Sequence, residues 1–207
     1  MVKEGYYFIG PLLLLALVLL WLNFLIVPVL LIGLAIFVGF FFRNPDRDVP
    51  SDPDAIVSPA DGKVIQIAEG PEGARVSVFL SVFNVHVNRA PWGGTIQRQD
   101  YRPGRFRAAF DERASVENER LLFTVGDERR ITFALIAGLV ARRIIPWTRV
   151  GETVSKGDRI ALIRFGSRAD VFLPPECELV ARVGDRVRAG SSLIGRWRPS
   201  GFEKRDE

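Results

Sequence analysis

Three side chains in this 207-residue sequence, Asp61, His86 and Ser167, are of the types that together activate a hydroxyl. Ser167 follows Gly166 in Arg164-Phe165-Gly166-Ser167-Arg168-Ala169-Asp170-Val171-Phe172, where a Gly-Ser step interrupts what otherwise reads as β-strand. Glycine tolerates strained dihedrals and close backbone approach, and the serine hydroxyl lies within reach of the carbonyl just before it, so such a step can cleave itself. The ordinary reading of a Gly-Ser step in a β-rich chain is a bulge or a tight bend. His86, the only histidine, stands in Phe83-Asn84-Val85-His86-Val87-Asn88-Arg89. Histidine is the side chain best suited to move protons near neutral pH, and strand alternation puts Phe83, Val85 and Val87 on one face and Asn84, His86 and Asn88 on the other. Its ordinary reading is a surface or structurally bonded histidine. Asp61, in Ser58-Pro59-Ala60-Asp61-Gly62, is otherwise a turn aspartate before a glycine. The order Asp, His, Ser proves nothing by itself, because activated-nucleophile arrangements are defined by geometry.

The elements that must position these groups read as mostly β. Lys63–Ile67, Arg75–Leu80, Leu121–Val125 and Ile131–Ile136 are short β-branched or aromatic runs bounded by turn residues, and Gly126-Asp127-Glu128-Arg129 has the composition of a hairpin loop joining the last two. The stretch from Ala108 to Arg120 reads as a loop or a short helical turn. An internal repeat sharpens the architecture. Val150–Ile160 and Val183–Leu193 share the pattern Val-Gly-x-x-Val-x-x-Gly-x-x-aliphatic at an offset of 33 residues. Two copies predict a pseudo-symmetric β unit of the barrel-sandwich or lipoyl-like kind rather than a solenoid, which needs at least three. A biotinyl- or lipoyl-type carrier would bear its modified lysine in the turn between such halves. No lysine occurs between Lys156 and Lys204, so that reading loses its main support.

Ahead of this domain, the run from Tyr6 to Phe42 contains no charged residue. As one helix it would extend roughly 55 Å, whereas a single crossing of a ~30 Å hydrocarbon core needs about 20 residues. Asn23 and Pro28 near its middle predict a hairpin of two short membrane helices, roughly 6 to 26 and 28 to 42. A signal peptide would have a shorter apolar core and a small-residue cleavage site. Lys3 on one flank, and Arg43 and Arg47 on the other, place both flanks on the cytoplasmic side by the positive-inside tendency. The lone Cys177 forms no internal disulfide, which is compatible with a reducing compartment. The organisation expected is an anchor at 1–42, a Pro- and Asp-rich linker at 43–55, one β domain at 56–197 and a polar, disordered tail at 198–207. The formal charge of +4 falls almost wholly on the part after residue 42 and suits anionic headgroups. No aromatic and basic platform argues for nucleic acid.

In order along the chain, Ser58-Pro-Ala-Asp-Gly62, Phe83-Asn-Val-His-Val-Asn-Arg89, Asn118-Glu-Arg120, Ala141-Arg-Arg-Ile144 and Ile163-Arg-Phe-Gly-Ser-Arg168 resemble the short-form phosphatidylserine decarboxylase proenzymes. The resemblance covers residues 43 to 197, and the apolar N-terminal segment is typical of that family. It implies a self-cleaving enzyme with a covalent pyruvoyl cofactor made from Ser167. The Ser167 hydroxyl would attack the Gly166 carbonyl, with His86 as base and Asp61 orienting it. The ester would undergo β-elimination, and hydrolysis would release ammonia and leave a β chain, 1–166, and an α chain, 167–207.

The pyruvoyl carbonyl would then form a Schiff base with the amine of phosphatidylserine or a related serine phospholipid and accept the electrons left by CO2, yielding phosphatidylethanolamine. The implied partners are that lipid, the membrane and the two chains of the same protein. A homo-oligomer is compatible with it, the implied place is the cell membrane with the domain in the cytoplasm, and no metal is implied. Two features depart from the larger relatives, which carry a further histidine where Phe83 stands here and a Leu-Gly-Ser-Thr cleavage motif. Arg102, Arg105 and Arg168 are candidates to neutralise a lipid phosphate, against the plainer reading of solvated surface. Two other classes remain on residue types alone. A membrane-anchored Ser-His-Asp hydrolase would keep its chain intact and react with a fluorophosphonate, and a non-enzymatic lipoyl-like barrel module would do neither.

Overall fold

The computed structural model describes residues 1–104, 118–138, 144–163 and 167–199. It divides into two compact units, Met1–Asp46 and Arg47 onward.

The first unit is a helical hairpin. A short 3-10 turn, Lys3–Gly5, leads into α1 (Tyr6–Trp21), and α2 (Ile26–Phe41) returns alongside it. The reversal falls at residues 22–25, where Asn23 takes a left-handed φ of 64°, a conformation asparagine tolerates better than other side chains. Pro28 therefore does not make the break. It sits in the first turn of α2, where an amide hydrogen has no intrahelical acceptor to lose. The hairpin closes through Val2 N–H donating to the Phe42 carbonyl at 3.0 Å and through Phe8 stacked on Phe42 at 5.6 Å. Leu14, Leu17, Trp21, Leu30 and Ile36 are exposed, so the helices are apolar all round, as membrane helices are. The continuous helix Lys3–Trp21 has 19 residues and is long and apolar enough to cross a membrane; Ile26–Phe41 is shorter.

The second unit is mainly β. Its described strands are β1 (Ala55–Val57), β2 (Gly62–Gly70), β3 (Gly73–Leu80), β4 (Val87–Arg89), β5 (Gly94–Arg102), β6 (Arg120–Gly126), β7 (Arg130–Ala137), β8 (Ile144–Pro146), β9 (Thr153–Val154), β10 (Arg159–Ile163), β11 (Ser167–Leu173), β12 (Cys177–Leu179), β13 (Arg186–Val187) and β14 (Leu193–Trp197). One eight-stranded sheet runs β13-β2-β3-β11-β7-β6-β5-β9, and two three-stranded sheets run β1-β14-β12 and β4-β10-β8. All pairings are antiparallel. Val64, Val78, Leu80, Phe123, Phe133, Leu135, Ala169 and Val171 meet in one apolar interior, with Phe123 stacked on Phe133 at 5.1 Å.

The repeat is real in three dimensions, and it is wider than the matching residues suggest. Gly151 and Gly157 in the first copy, and Gly184 and Gly190 in the second, all have positive φ, which only glycine adopts without strain. The segments 55–64 and 87–96, which share little beyond Pro-x-x-Gly, are also equivalent. Val57 N–H donates to the Pro91 carbonyl and Arg89 N–H to the Pro59 carbonyl, while Gly157 N–H reaches Ala90 and Gly190 N–H reaches Ser58. Further out, Val64 pairs with Asp185 and Gly184 as Ile96 pairs with Glu152 and Gly151. Reciprocal bonds of this kind relate the two halves by a pseudo-two-fold axis, with the two small sheets as counterparts.

Residues 47–55, expected as a linker, are bound to the domain. Asp52 pairs with Arg196 at 2.8 Å, Asp54 with Arg129 at 2.6 Å and Arg47 with Asp61 at 2.9 Å. The same Asp-rich composition that suggests a solvated linker supplies partners for a basic domain surface. Gly62 opens β2 so close to β3 that a Cβ there would collide with the Phe79 carbonyl. Gly62→Ala should therefore lower stability by about 2 kcal/mol, as overpacking does, read as an earlier midpoint in urea denaturation.

Candidate functional site

Ser167 is the first residue of β11, and it is held from both sides. It lies opposite Leu80 of β3 and Ala137 of β7, and the pairing continues through Ala169, Val171 and beyond. Cross-strand partners share a face, so the Ser167 side chain points with Leu80, Ala137 and Ala169 into the apolar interior. The residue is fully buried, and its Oγ has no hydrogen-bond partner among the described residues. The far side of β7 is braced as well. Asn118 Nδ2 donates to the Ala137 carbonyl at 2.8 Å, Ala137 N–H donates to the Glu119 carbonyl at 2.9 Å, and the Glu119 carboxylate accepts from Ile144 N–H at 3.2 Å. Gly166, the other half of the step, lies outside the described residues.

On the opposite face of β11, Arg168 is only 1% exposed. Its Nε meets the Asp170 carboxylate at 2.6 Å, and Nη2 donates to Ser77 Oγ of β3 at 2.7 Å. Arg168 therefore corrects its sequence reading: it is neither solvated surface nor open to a lipid phosphate, because the alternation that sends Ser167 inward sends Arg168 into its own buried ion pair. Arg102 is exposed, and Arg105 lies outside the described residues.

His86 reaches the same interior from another sheet. Ile163 N–H of β10 donates to the His86 carbonyl at 3.2 Å, and in the continuing register Asn88 of β4 opposes Ala161. Ala161 and Ile163 belong to the interior cluster. His86 and Asn88 therefore face it too, and both are fully buried. His86 Nδ1 lies 2.9 Å from the Asn84 carbonyl. A carbonyl can only accept, so Nδ1 carries a proton and Nε2 is the nitrogen left to take up or give one. Asn84 is itself fixed, its Oδ1 accepting from Ser81 N–H at 2.9 Å and Ser81 Oγ at 2.7 Å. That turn, residues 81–84, ends the alternation expected around His86: Phe83 is exposed, whereas Val85 and Val87 are buried.

Asp61 is engaged elsewhere. Arg47 Nη2 donates to both its oxygens, at 2.9 and 3.0 Å, and Oδ1 also accepts from Ala189 N–H at 2.8 Å in the second repeat turn. His86 Nδ1 thus faces the Asn84 carbonyl, while the Asp61 carboxylate is held by Arg47 and the Ala189 amide. The reason is electrostatic, since the carboxylate sits among Arg47, Arg89 and a backbone donor. Burial, followed by repulsion from Arg47 and Arg159, lowers the Arg89 pKa from its ordinary value, against the pull of Asp61 and Asp158. Cys177 is no rival nucleophile, because burial and the neighbouring Glu176 push its thiol up to about 12. Among the described residues, no three His, Cys, Asp or Glu side chains converge on a point where a metal would sit.

The site is thus a buried hydroxyl and a buried histidine on the walls of an apolar interior. That arrangement suits proton transfer and acyl chemistry shielded from water. The fold and site define a mainly β enzyme with an apolar N-terminal hairpin, whose buried serine begins a strand. A model of the phosphatidylserine decarboxylase family matches residues 34–195, and the chain belongs to that family of carboxy-lyases. It is 48% identical over 198 residues to the phosphatidylserine decarboxylase proenzyme of Solibacter usitatus, covering 94% of this chain and 96% of the relative. It is 45% identical over 204 residues to that of Symbiobacterium thermophilum, covering 94% of each, and 44% identical over 169 residues to that of Desulfotalea psychrophila, covering 77% and 78%.

Sequence reasoning singled out Ser167 and His86. It missed the roles of Asn84 and Arg47, and of the Arg168–Asp170–Ser77 group, because nothing in a linear pattern says which polar residue on a strand meets which other. Removing one partner of a buried ion pair strands the other charge at a cost of about 3–5 kcal/mol. Arg168→Met made in a Ser167→Ala background should show a loss of that size in urea denaturation, and Arg168→Met/Asp170→Leu should recover most of it.

Proposed function

We propose that this chain is a self-cleaving, pyruvoyl-dependent decarboxylase that converts phosphatidylserine, or a related serine phospholipid, to the corresponding ethanolamine lipid and CO2 at a membrane. The single observation that carries the reading is the Ser167 hydroxyl: fully buried, without a partner among the described residues, and held at the start of β11 by strands on both sides. A hydroxyl left unsatisfied in an apolar interior costs about 1–3 kcal/mol, and such a cost persists where the group is used in chemistry.

In this reading Ser167 Oγ attacks the Gly166 carbonyl carbon while His86 Nε2 takes the hydroxyl proton. The Gly166–Ser167 peptide bond becomes an ester, and the Gly166 carboxylate leaves as the Ser167 α-proton is removed. Water then replaces the nitrogen of the resulting dehydroalanine, releasing ammonia and leaving the pyruvoyl group at the head of β11. That group supplies an electron sink for the carbon that loses CO2. The residues present fit it: Arg168 and the strand behind it are hydrogen-bonded on both sides, so the new terminus stays where the serine stood. His86 is the proton carrier on the same wall, with Asn84 holding its tautomer. Asp61 serves as an anchor between Arg47 and the second repeat turn.

The two products, 1–166 and 167–207, would remain one body. In the domain, β11 lies between β3 and β7, β13 pairs with β2, and β14 pairs with β1, so three of the four described strands of the shorter product are bound to strands of the longer one, and β12 is held through β14. The apolar hairpin is the anchor, and the basic flanks Lys3, Arg43 and Arg47 put the domain on the cytoplasmic side.

Intact-mass analysis of the purified protein is the test. Two chains meeting at residues 166 and 167 are expected, the shorter one trapped by phenylhydrazine, and Ser167→Ala should remain a single chain without carbonyl or turnover. A wild-type chain that stays whole after full maturation, or that is labelled by a fluorophosphonate at Ser167, would sink the reading.

A further inference from the structure

Asn88 is the most conspicuous polar residue that the proposed chemistry does not use. It is fully buried, and both Oδ1 and Nδ2 are without a hydrogen-bond partner among the described residues. It opposes Ala161 and lies two residues from His86, so the two side chains leave the same face of the strand toward the apolar interior that Ser167 enters from β11. A buried carboxamide normally has its donor and acceptor satisfied, and an apolar side chain of similar size would pack there without the cost. What completes this amide must present an acceptor to Nδ2 and a donor to Oδ1 together. An oxyanion offers only the first.

We propose that Asn88 binds the α-amino-acid part of the serine headgroup: Nδ2 donates to the carboxylate that is lost, and Oδ1 accepts from the amino nitrogen. The inference rests on the reading of Ser167 as the pyruvoyl precursor and adds a substrate-recognising residue to the same site. A neutral donor suits this task. An arginine would hold the carboxylate by full charge and stabilise it against leaving, whereas an amide fixes its direction while the apolar surroundings favour loss of charge. The product ethanolamine headgroup lacks the carboxylate, so the Nδ2 contact disappears at turnover and aids release.

The test uses the matured protein and a readout that needs no turnover. Phenylhydrazine traps the carbonyl at Ser167, and a headgroup bound beside it slows trapping. O-phospho-L-serine should protect the parent, and O-phosphoethanolamine should protect it far less. Asn88→Leu should still split by intact mass, should melt no lower than the parent, and should react with phenylhydrazine at the parent rate. The phosphoserine concentration giving half-protection should rise by at least about tenfold, the effect of losing a buried hydrogen bond to a charged group. Asn88→Ala carries the same test if the leucine variant does not accumulate folded. Unchanged protection in a variant that splits overturns the inference alone, and so does failure of both variants to split, which assigns Asn88 to maturation. A parent chain that never splits overturns the underlying reading instead.

Discussion

The structure depends on one constraint: the strand that begins at Ser167 has a hydrogen-bonded neighbour on each side from its first residue. An edge strand would leave its end free to fray, and a serine in a loop would sample many positions. Flanked by β3 and β7, Ser167 keeps one position, and its hydroxyl faces an interior where no other described residue satisfies it. Holding a reacting group in place before reaction removes much of the entropic barrier to its attack. The same pairing means that a break immediately before Ser167 would leave the strand where it was. The Arg168–Asp170–Ser77 group strengthens the hold from the other face, tying the second residue of the strand to its own fourth and to β3.

Around that strand, the doubled architecture supplies walls. The pseudo-two-fold axis brings the turns of both repeats to Arg89 and Asp61: Gly190 packs toward Gly157, Arg89 Nη1 donates to the Gly157 carbonyl at 2.8 Å, and Asp61 accepts from Ala189. The symmetry is broken at the position equivalent to Asp61, which is Gly93 in the other half. A side chain there would crowd the Lys156 backbone nitrogen. One half of the pseudo-symmetric pair thus has a charged anchor where the other has only backbone, and Arg47 extends that anchor to the first residue of the domain. The interior between the halves is apolar apart from a few buried polar groups, Ser167, His86 and Asn88 foremost. Each costs stability, and together they are the departures from an otherwise consistent core that mark a functional region.

Much of this was legible in order along the chain. The β-branched runs became β2, β3, β6 and β7, the hairpin loop fell at residues 127–129, and the Val-Gly-x-x-Val-x-x-Gly copies took the same backbone conformation twice. Local chemistry decides those features, since glycine alone takes the positive φ and alternating apolar residues must share a face. Less was legible where partners come from afar. Of the two residues expected to break the hairpin, Asn23 lies in the turn and Pro28 in the first turn of α2, where proline is harmless. The 43–55 segment read as a solvated linker because its aspartates meet Arg129, Lys156 and Arg196 only after folding. The second pair of equivalent segments is not visible in the sequence because only Pro-x-x-Gly is common to both, while several of their backbone hydrogen bonds recur.

By itself, the sequence determined the mainly β domain, the apolar hairpin and the identity of the two groups best able to do chemistry, Ser167 and His86. Those follow from residue type, periodicity and motif order, all of which are local. Only the tertiary structure decided that the Asn84 carbonyl meets His86, that Asp61 pairs with Arg47, that Arg168 is buried, and that Asn88 shares the wall. Each of those depends on which strands become neighbours and on which face a side chain leaves. A shift of one residue in register reverses every face, and nothing short of the folded sheet sets that register.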